Sequence, residues 1–321
     1  MKKIVAILSG EPNSINSEII AKTWKKLKLT EKKKLLIIGN YEIFKKQISK
    51  IGITIPLENI TSVKKHINEN KLNILNIPLK FRNIFKVNIN ETKKYIYNSL
   101  DIAHHLAYNK SIQGFINSPI DKKIFNNQYL GVTEYLAAKN KIKEKEVMMI
   151  YNSEMAVVPL TTHLEIKNVT NKINFNLIKN KILTLNKFYF KLLKQKPKIL
   201  MLGLNPHNSE NRINSIENKI IKPAVNKLKK IGINIIGPFP ADTAFTKIKD
   251  YNCNVVVGMY HDQVLAPFKA LYGYNAINIT LGLKYLRLSP DHGTANDIVG
   301  LNKANPQSLI NAVRFLNKLN D

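Results

Sequence analysis

The sequence of residues 258–300 reads GMYHDQVLAPFKALYGYNAINITLGLKYLRLSPDHGTANDIVG. A valine-rich run, Asn254–Met259, comes just before His261 and has the length and composition of a buried parallel strand. In open α/β sheets, ligands bind just beyond the carboxyl ends of the strands. We therefore predict that His261 lies where such a sheet binds its ligand.

Two other histidines follow apolar runs in the same way. Ala156–Leu160 leads to His163, and Lys198–Leu204 leads to His207. Three neutral imidazoles at strand ends suit a divalent metal that keeps open coordination positions for a substrate. We therefore predict that the three histidines bind one metal. The alternative is that each is a separate loop or cap residue, since histidine is often partly buried without being a ligand.

Predicted strands alternate with predicted helices along the whole chain. This order predicts an α/β fold with parallel sheets and helices on both faces. The length of 321 residues favours two domains over one. Because no G-x-G-x-x-G motif occurs, a Rossmann-type nucleotide site is not expected. The adjacent pair His104-His105 falls in a predicted helix, where neighbours point in different directions, so we expect it to be solvated rather than a metal site.

The net charge of +28 raises the question of a nucleic-acid partner, but the pattern of the charges does not favour one. The lysines are scattered and accompany abundant Asn and Ile, a composition that an AT-rich genome would supply. Signatures of RNA-binding, helix-turn-helix and zinc-finger modules are lacking. We expect no nucleic-acid partner, and a non-catalytic basic binding protein is kept as an alternative.

Three features predict a cytoplasmic location. Cys253 is the single cysteine, which excludes an internal disulfide, and its place beside a predicted strand favours a buried core residue. Lys3–Leu8 is too short for the apolar part of a signal peptide and is interpreted as a first strand. No apolar run approaches the length of a membrane span, so no membrane partner is expected.

Six short motifs, taken together, closely resemble a known family. YHDQ, PFK, NITLGL and DHGTA, with TTH and NPH upstream, are similar to those of the 4-hydroxythreonine-4-phosphate dehydrogenase family of vitamin B6 synthesis. The tail HGTANDIVG also resembles the wider isocitrate/isopropylmalate dehydrogenase superfamily. The resemblance implies a two-domain fold of that type. Residues 1–129 plus 282–321 would form the nucleotide-side domain, and residues 130–281 the metal and dimer side, with a cleft between the domains.

The resemblance also implies an activity and its cofactors. The family oxidises 4-phosphooxy-L-threonine with NAD or NADP and one divalent metal, for which Zn, Mg and Co are candidates. The product then loses carbon dioxide to give 3-amino-2-oxopropyl phosphate, on the route to pyridoxal 5'-phosphate. The expected assembly is a homodimer with the active site at the interface.

Site residues are carried over from the motifs by their positions in this chain. The implied metal ligands are His163, His207 and His261. The implied substrate contacts are Thr133, Lys269, Asn278 and Arg287, and the implied catalytic residues are Asp242 and Lys269. The implied nucleotide loop consists of His292, Gly293, Thr294 and Ala295, with Asn305. The alternatives are solvated charges for the two cations, a helix cap for the aspartate and an ordinary loop before the last helix.

The chain departs from the family pattern at some positions. Val132 stands where the family has a histidine that contacts substrate, beside the matching Thr133. Ser118 replaces a glycine before Pro119, and Asn13–Ser17 replaces a glycine-rich turn. Because valine cannot hydrogen-bond, a second hypothesis is a related dehydrogenase of another phosphorylated hydroxy acid, such as threonate or erythronate 4-phosphate.

Overall fold

The computed structural model describes residues 4–63, 68–125, 128–129, 131–142, 144–273 and 275–319. The chain divides into two compact units. Unit 1 consists of Met1–Leu136, Tyr274–Ile277 and Lys284–Asp321, and unit 2 of Ala137–Gly273 and Asn278–Leu283.

The secondary-structure elements are numbered in chain order. The first half contains β1 (Val5–Leu8), α1 (Asn16–Lys26), α2 (Leu29–Lys32), β2 (Leu35–Gly39), α3 (Tyr41–Lys50), β3 (Leu57–Ile60), β4 (Leu72–Asn76), α4 (Ile89–Tyr108), β5 (Gly114–Asn117), α5 (Val132–Lys139), β6 (Val147–Tyr151) and β7 (Ala156–Pro159). The second half contains α6 (Ile166–Lys172), α7 (Phe175–Leu193), β8 (Ile199–Leu202), α8 (Lys222–Lys230), β9 (Ile235–Phe239), α9 (Ala241–Ala244), β10 (Val255–Gly258), α10 (His261–Tyr272), β11 (Ile277–Leu281), β12 (Leu286–Pro290) and α11 (Gln307–Lys318). Short helical turns lie at Lys122–Phe125, Pro206–Asn211, Glu217–Ile221 and Asn296–Ile298.

The strands of unit 1 follow the order β3-β4-β2-β1-β5-β12. All of their pairings are parallel. The sequences of β1 and β2 are continuously apolar and fully buried, as expected for strands covered on both faces. Successive strands after β1 lie on one side of it, and β5 lies on the other. The exits of β1 and β5 are therefore the point at which strand order reverses, where sheets of this kind bind ligands.

The strands of unit 2 follow the order β11-β6-β7-β10-β8-β9. β10 pairs in parallel with both β7 and β8, whereas β6 pairs with β7 in antiparallel. The central strand β10 has the sequence VVVG and is fully buried. Helices separate most of the strands, so the predicted α/β class with parallel and mixed sheets is confirmed.

Helices pack through apolar stripes at helical spacing. In α7, Ile178, Ile182 and Leu185 are buried, and Asn174 caps the helix by accepting a hydrogen bond from the backbone N–H of Leu177 at 2.9 Å. Among the described residues, none of the helices combines the length and apolar composition that crossing a bilayer requires.

Two smaller predictions were wrong. Cys253 is half-exposed, because it lies in the turn before β10, with its Sγ 3.5 Å from the carbonyl oxygen of Tyr251. His104 is not fully solvated, because its Nδ1 lies 2.7 Å from the hydroxyl of Tyr285. His105, on the neighbouring face of α4, is exposed as expected.

Candidate active site

The three histidines follow three strands that are neighbours in the unit 2 sheet. β10 lies between β7 and β8 and is parallel to both, so the three chain segments leave the same edge. His163 follows β7, His261 follows β10 and His207 follows β8. The ring centroids of His163 and His261 are 6.0 Å apart, with the ring planes inclined by 36°. The sheet therefore accounts for the repeated strand-end pattern seen in the sequence.

Hydrogen bonds tie the three strand exits to one another. The Thr161 hydroxyl, beyond β7, donates to the carbonyl oxygen of Met259 at 2.7 Å. The backbone N–H of Met259 donates to Oε1 of Gln263 at 2.7 Å, and Nε2 of Gln263 donates to the carbonyl oxygen of Gly203 at 2.7 Å, beyond β8. Gln263 thus links the exits of β10 and β8. Its place in the YHDQ motif was the only sequence signal for this role.

His207 lies in an unusual turn between β8 and α8. The backbone φ angle is positive at each residue from His207 to Asn211, with values from 49° to 58°. None of these five residues is glycine, and L-residues avoid this left-handed region. His207 itself is exposed, so its ring is accessible. The turn must be held in place by contacts with the rest of unit 2.

The positions of the three histidine side chains bear on whether they can bind one metal. Among the residues that the structure describes, no three His, Cys, Asp or Glu side chains lie together at metal-binding distances. The donor chemistry nevertheless fits a divalent metal. Nδ1 of His261 lies 2.7 Å from Oδ1 of Asp262, and a proton on Nδ1 leaves Nε2 with a free lone pair. A carboxylate that orients a histidine in this way is common at metal sites. The three-histidine site stays a prediction.

A second group of predicted residues lies at the exit of β5 in unit 1. Arg287 is only 4% exposed, and its Nε donates to Oδ1 of Asn117. One terminal nitrogen donates to Oγ1 of Thr133 at 3.1 Å. Burial lowers the pKa of Arg287 to about 10, while the carboxylate of Glu134 opposes that change. Arg287 is therefore still a cation at neutral pH, held in one orientation by two side chains.

Val132 is the first residue of α5 and lies next to Thr133. Its side chain is 9% exposed. It offers no donor or acceptor to a ligand. A histidine at this position would have to place an imidazole in a space that valine now fills.

The remaining predicted substrate and catalytic residues, Asn278, Lys269 and Asp242, belong to unit 2. The side-chain oxygen of Asn278, in β11, is buried and has no hydrogen-bond partner among the described residues. Lys269 is exposed on α10, about 12 Å along the helix from His261. Asp242 is exposed in α9, where its Oδ1 accepts a hydrogen bond from the backbone N–H of Thr243 at 3.0 Å. No hydrogen bond joins these three side chains to each other in the described residues, and their roles stay predictions.

The predicted nucleotide loop follows β12 in unit 1. The carbonyl oxygen of Thr294 accepts a hydrogen bond from the backbone N–H of Ile15 at 3.3 Å, which ties the loop to the exit of β1. A Cβ added to Gly293 would meet no protein atom within 4 Å, and its φ angle lies outside the left-handed region. The fold therefore does not require glycine at this position. The open space beside it fits a loop that a ligand approaches closely.

Other members of the predicted loop have local roles in the fold. Nδ1 of His292 lies 3.0 Å from the carbonyl oxygen of Gly293, and Ala295 is left-handed with φ 47°. Asn305 accepts a hydrogen bond from the backbone N–H of Gln307 at 2.9 Å, at the start of α11. These contacts fit a fixed loop and leave its part in nucleotide binding as a prediction.

A buried carboxyl group at the β1 exit was missed by the sequence reasoning. Glu11 is 6% exposed, and burial raises the pKa of its carboxyl group to about 7, although hydrogen bonds from the backbone N–H groups of Asn13 and Asp121 lower it. Nearby, the side chain of Asn16 donates to the carbonyl oxygen of Pro119 at 2.9 Å. The β1 and β5 exits are therefore joined around a carboxyl group that is partly protonated at neutral pH.

Comparison with known proteins places this fold among metabolic dehydrogenases. The crystal structure of a 4-hydroxythreonine-4-phosphate dehydrogenase from Klebsiella pneumoniae is similar to this chain, with a TM-score of 0.87 and 26% identity. The match covers 99% of this chain and 100% of that one. The fold predicted from the resemblance is therefore that of a solved dehydrogenase.

Sequence comparison identifies the family. Residues 31–316 match the model of the family described as pyridoxal phosphate biosynthetic protein PdxA. A 4-hydroxythreonine-4-phosphate dehydrogenase from Sulfurihydrogenibium is 37% identical over 97% of this chain and 96% of its own length. One from Aquifex aeolicus is 35% identical over 100% of this chain and 99% of its own length. The chain belongs to the PdxA family, which confirms the predicted resemblance and the oxidoreductase class of its relatives.

Proposed function

We propose that this chain is an NAD- or NADP-dependent dehydrogenase that oxidises the C3 hydroxyl of 4-hydroxythreonine 4-phosphate. A nicotinamide held by residues 292–295 and Asn305 would supply the hydride acceptor for C3, and a base of the protein would take the hydroxyl proton. The resulting β-keto acid loses its carboxylate as carbon dioxide, and a proton then replaces it on C2 to give 3-amino-2-oxopropyl phosphate. This reaction is a step towards pyridoxal 5'-phosphate. The observation that carries the proposal is the exit of His163, His207 and His261 from three adjacent parallel strands.

The three histidines would hold one divalent metal, for which Zn, Mg and Co are candidates. A bound metal of this kind acts as a Lewis acid on a hydroxyl or carbonyl oxygen of the substrate. The protein's own contribution is to fix the imidazoles. The contact of Asp262 with Nδ1 orients His261, and Thr161 and Gln263 fix the spacing of the strand exits.

Arg287 and Thr133 would bind the phosphate group of the substrate. Asn117 and Thr133 hold the guanidinium in one orientation, so little side-chain entropy remains to be lost on binding. A planar guanidinium can donate two parallel hydrogen bonds to an oxyanion. Asn278, with a buried amide oxygen, and Lys269, an exposed cation, stay the other predicted substrate contacts.

Proton transfer is assigned to Asp242 and Lys269. The carboxylate of Asp242 is exposed, and α9, which carries it, packs against β8 and the turn that carries His207. General acid–base catalysis requires such a group within hydrogen-bond reach of the proton that moves. Residues His292–Ala295 and Asn305 are proposed to bind the nucleotide. The homodimer, its shared active site and a cytoplasmic location stay predictions.

A second candidate substrate is favoured by one observation. Val132 is buried and cannot hydrogen-bond, whereas the family pattern has a histidine there. A phosphorylated hydroxy acid, such as threonate or erythronate 4-phosphate, carries a hydroxyl in place of the amino group, and loss of the family histidine leaves this substrate class open. This substrate class is the alternative to the amino acid.

The proposed activity is tested by NAD(P)H formation. Purified protein is stripped of metal with a chelator, then mixed with 4-hydroxythreonine 4-phosphate and NAD or NADP, with and without added Zn²⁺, Mg²⁺ or Co²⁺. We expect the absorbance of the reduced nicotinamide to increase only when a metal is present. The rate with 4-hydroxythreonine 4-phosphate should exceed the rate with threonate 4-phosphate. A faster rate with threonate 4-phosphate would support the second candidate. No reduction with either substrate would refute the proposed function.

A further inference from the structure

We propose that Glu217 is a positioning residue, which holds the turn that carries His207 in the conformation required for metal binding. Glu217 begins the helical segment that leads into α8, ten positions after His207 in the chain. No motif singled it out. The inference rests on the proposed role of His207 as a ligand and assigns a function to a residue outside the ligand set.

The carboxylate of Glu217 is almost completely buried, with the residue 1% exposed, and is surrounded by donors. Its Oε1 accepts hydrogen bonds from the backbone N–H groups of Leu204 at 3.0 Å and Asn205 at 2.8 Å, and from the side-chain amide of Asn205 at 3.2 Å. Its Oε2 accepts a hydrogen bond from the hydroxyl of Ser209 at 2.9 Å. A single buried anion therefore accepts hydrogen bonds from the backbone and side chains of one short turn.

These contacts lie on both sides of His207. Leu204 and Asn205 precede the histidine, and Ser209 follows it. Burial alone would raise the pKa of Glu217, but the hydrogen bonds from Asn205, Ser209 and Leu204 outweigh burial and lower it. The group is therefore ionised at neutral pH and accepts hydrogen bonds with both oxygens. The same charge therefore holds the chain on both sides of His207.

The backbone of the turn requires an external restraint of this kind. Five consecutive residues without glycine, His207–Asn211, have left-handed φ angles that they would not hold in isolation. A second restraint comes from Asn208, whose side chain donates to the carbonyl oxygen of Pro238 at 3.0 Å. A Cβ on Gly203 would lie 2.0 Å from the side-chain oxygen of Asn208, so the turn also packs tightly against the β8 exit.

Replacing Glu217 by glutamine keeps the shape of the side chain but removes an acceptor. With its amide oxygen towards the backbone N–H groups of Leu204 and Asn205, glutamine would present an N–H to Ser209, whose hydroxyl would have to accept instead of donate. Hydrogen bonds to a charged acceptor are stronger than those to a neutral one, so loss of the charge weakens the restraint on the turn. We expect the turn to leave its left-handed conformation part of the time and to take His207 away from the metal.

The test compares metal affinity and local protection from exchange in full-length variants. Glu217→Gln is measured beside Glu210→Gln, which changes an exposed carboxylate of the same turn, whose Oε2 lies 3.2 Å from a terminal nitrogen of Arg212. His207→Ala serves as the reference for loss of a ligand. Zn²⁺ affinity is measured by competition with a chromophoric chelator, and amide hydrogen exchange is followed at residues 203–211.

We expect Glu217→Gln to bind Zn²⁺ at least roughly tenfold more weakly than the wild type. Exchange at residues 203–211 should be faster, whereas exchange in β7 and β10 should be unchanged. Glu210→Gln should match the wild type in both measurements. A residue that only stabilised the fold would lower the melting temperature without this selective effect on the turn and on Zn²⁺.

Wild-type Zn²⁺ affinity in Glu217→Gln, together with loss of Zn²⁺ in His207→Ala, would overturn this inference alone. Retention of Zn²⁺ by His207→Ala would instead refute the proposed metal site, and the inference with it. If Glu217→Gln does not fold, Ser209→Ala removes one of the four donors to the carboxylate and should weaken Zn²⁺ binding severalfold. Wild-type affinity in Ser209→Ala would then overturn the inference.

Discussion

A terminal nitrogen of Arg287 donates a hydrogen bond to Oγ1 of Thr133 at 3.1 Å. The two residues are 154 positions apart in the sequence, yet they form one cluster at the exit of β5, together with Asn117. Asn117 and Thr133 are uncharged acceptors for this buried cation, and the carboxylate of Glu134 favours its charged form. A cation held in this way is suited to an anionic ligand, and the predictions below begin with it.

Replacing Arg287 by lysine should weaken capture of the phosphorylated substrate. Lysine keeps the charge but lacks the planar fork that donates to Asn117, Thr133 and an oxyanion at once. We expect kcat/KM for 4-hydroxythreonine 4-phosphate to fall at least roughly tenfold, which corresponds to about 1.4 kcal/mol. Arg314→Lys, at an exposed arginine that contacts Glu31, is the matched control and should leave kcat/KM unchanged. An unaltered constant in Arg287→Lys would place Arg287 outside the substrate site.

Restoring the family histidine at Val132 should raise activity towards 4-hydroxythreonine 4-phosphate. A hydrogen bond from an imidazole to a charged group contributes about 1.5–3 kcal/mol, which corresponds to roughly tenfold or more in kcat/KM. Because Val132 is 9% exposed, the larger ring should also lower the melting temperature. Steady-state kinetics on this substrate and on threonate 4-phosphate provide the measurement. A wild-type preference for threonate 4-phosphate, or a loss of activity in Val132→His, would show that the pocket has adapted to another substrate.

The raised pKa of Glu11 predicts a specific dependence of stability on pH. Because burial raises the folded-state pKa from 4.5 to about 7, the folded protein retains a proton that the unfolded chain releases. The contribution of the Glu11 carboxyl group to the free energy of unfolding is therefore fully present below pH 4.5. It is lost as the pH rises through about 7. The full effect is on the order of 3 kcal/mol.

Glu11→Gln removes this titration and keeps an acceptor for the backbone N–H groups of Asn13 and Asp121. The free energy of unfolding of Glu11→Gln, relative to the wild type, should therefore increase from pH 5 to pH 8. Chemical denaturation at several pH values measures it. Glu42→Gln, at an exposed position of α3, is the control and should follow the wild-type profile. A constant difference between Glu11→Gln and the wild type at all pH values would contradict the prediction.

Adding a side chain at Gly293 should weaken nucleotide binding without disturbing the fold. A Cβ at this position meets no protein atom within 4 Å, so the protein itself has room for it. A nucleotide that approaches the backbone there would be displaced by the branched side chain of valine. We expect the Kd for NAD or NADP to rise slightly in Gly293→Ala and roughly tenfold in Gly293→Val, with unchanged melting temperatures. Equal affinities in all three proteins would show that this loop does not contact the nucleotide.

The local sequence pattern predicted the buried strands and the positions of the three histidines at strand ends. Apolar runs such as Asn254–Met259 identified β10, because a strand buried on both faces is continuously hydrophobic. The strand-end rule then placed His163, His207 and His261 at exits that prove to be neighbours in the sheet. Strand order was not visible in the sequence, since parallel pairing depends on crossovers through helices.

Long-range partners could not be predicted from local pattern. One acceptor of Arg287 is Asn117, which is 170 positions away in sequence and carries no motif. Glu217 looked like an ordinary acidic residue at the start of a helix, where acids are common. Its buried carboxylate and its four donors appear only once β8 and its turn are placed beside it. The missed proximity of His104 and Tyr285 has the same cause.

The central claim is that His163, His207 and His261 hold one divalent metal at the exits of β7, β8 and β10. The most direct measurement is the metal content of purified wild type and of His163→Ala, His207→Ala and His261→Ala, by elemental analysis after equilibration with Zn²⁺ and removal of the excess. The account predicts a bound metal in the wild type, loss of that metal in each variant and unchanged circular dichroism in all four proteins. Wild-type metal content in any folded variant would contradict the claim for that histidine.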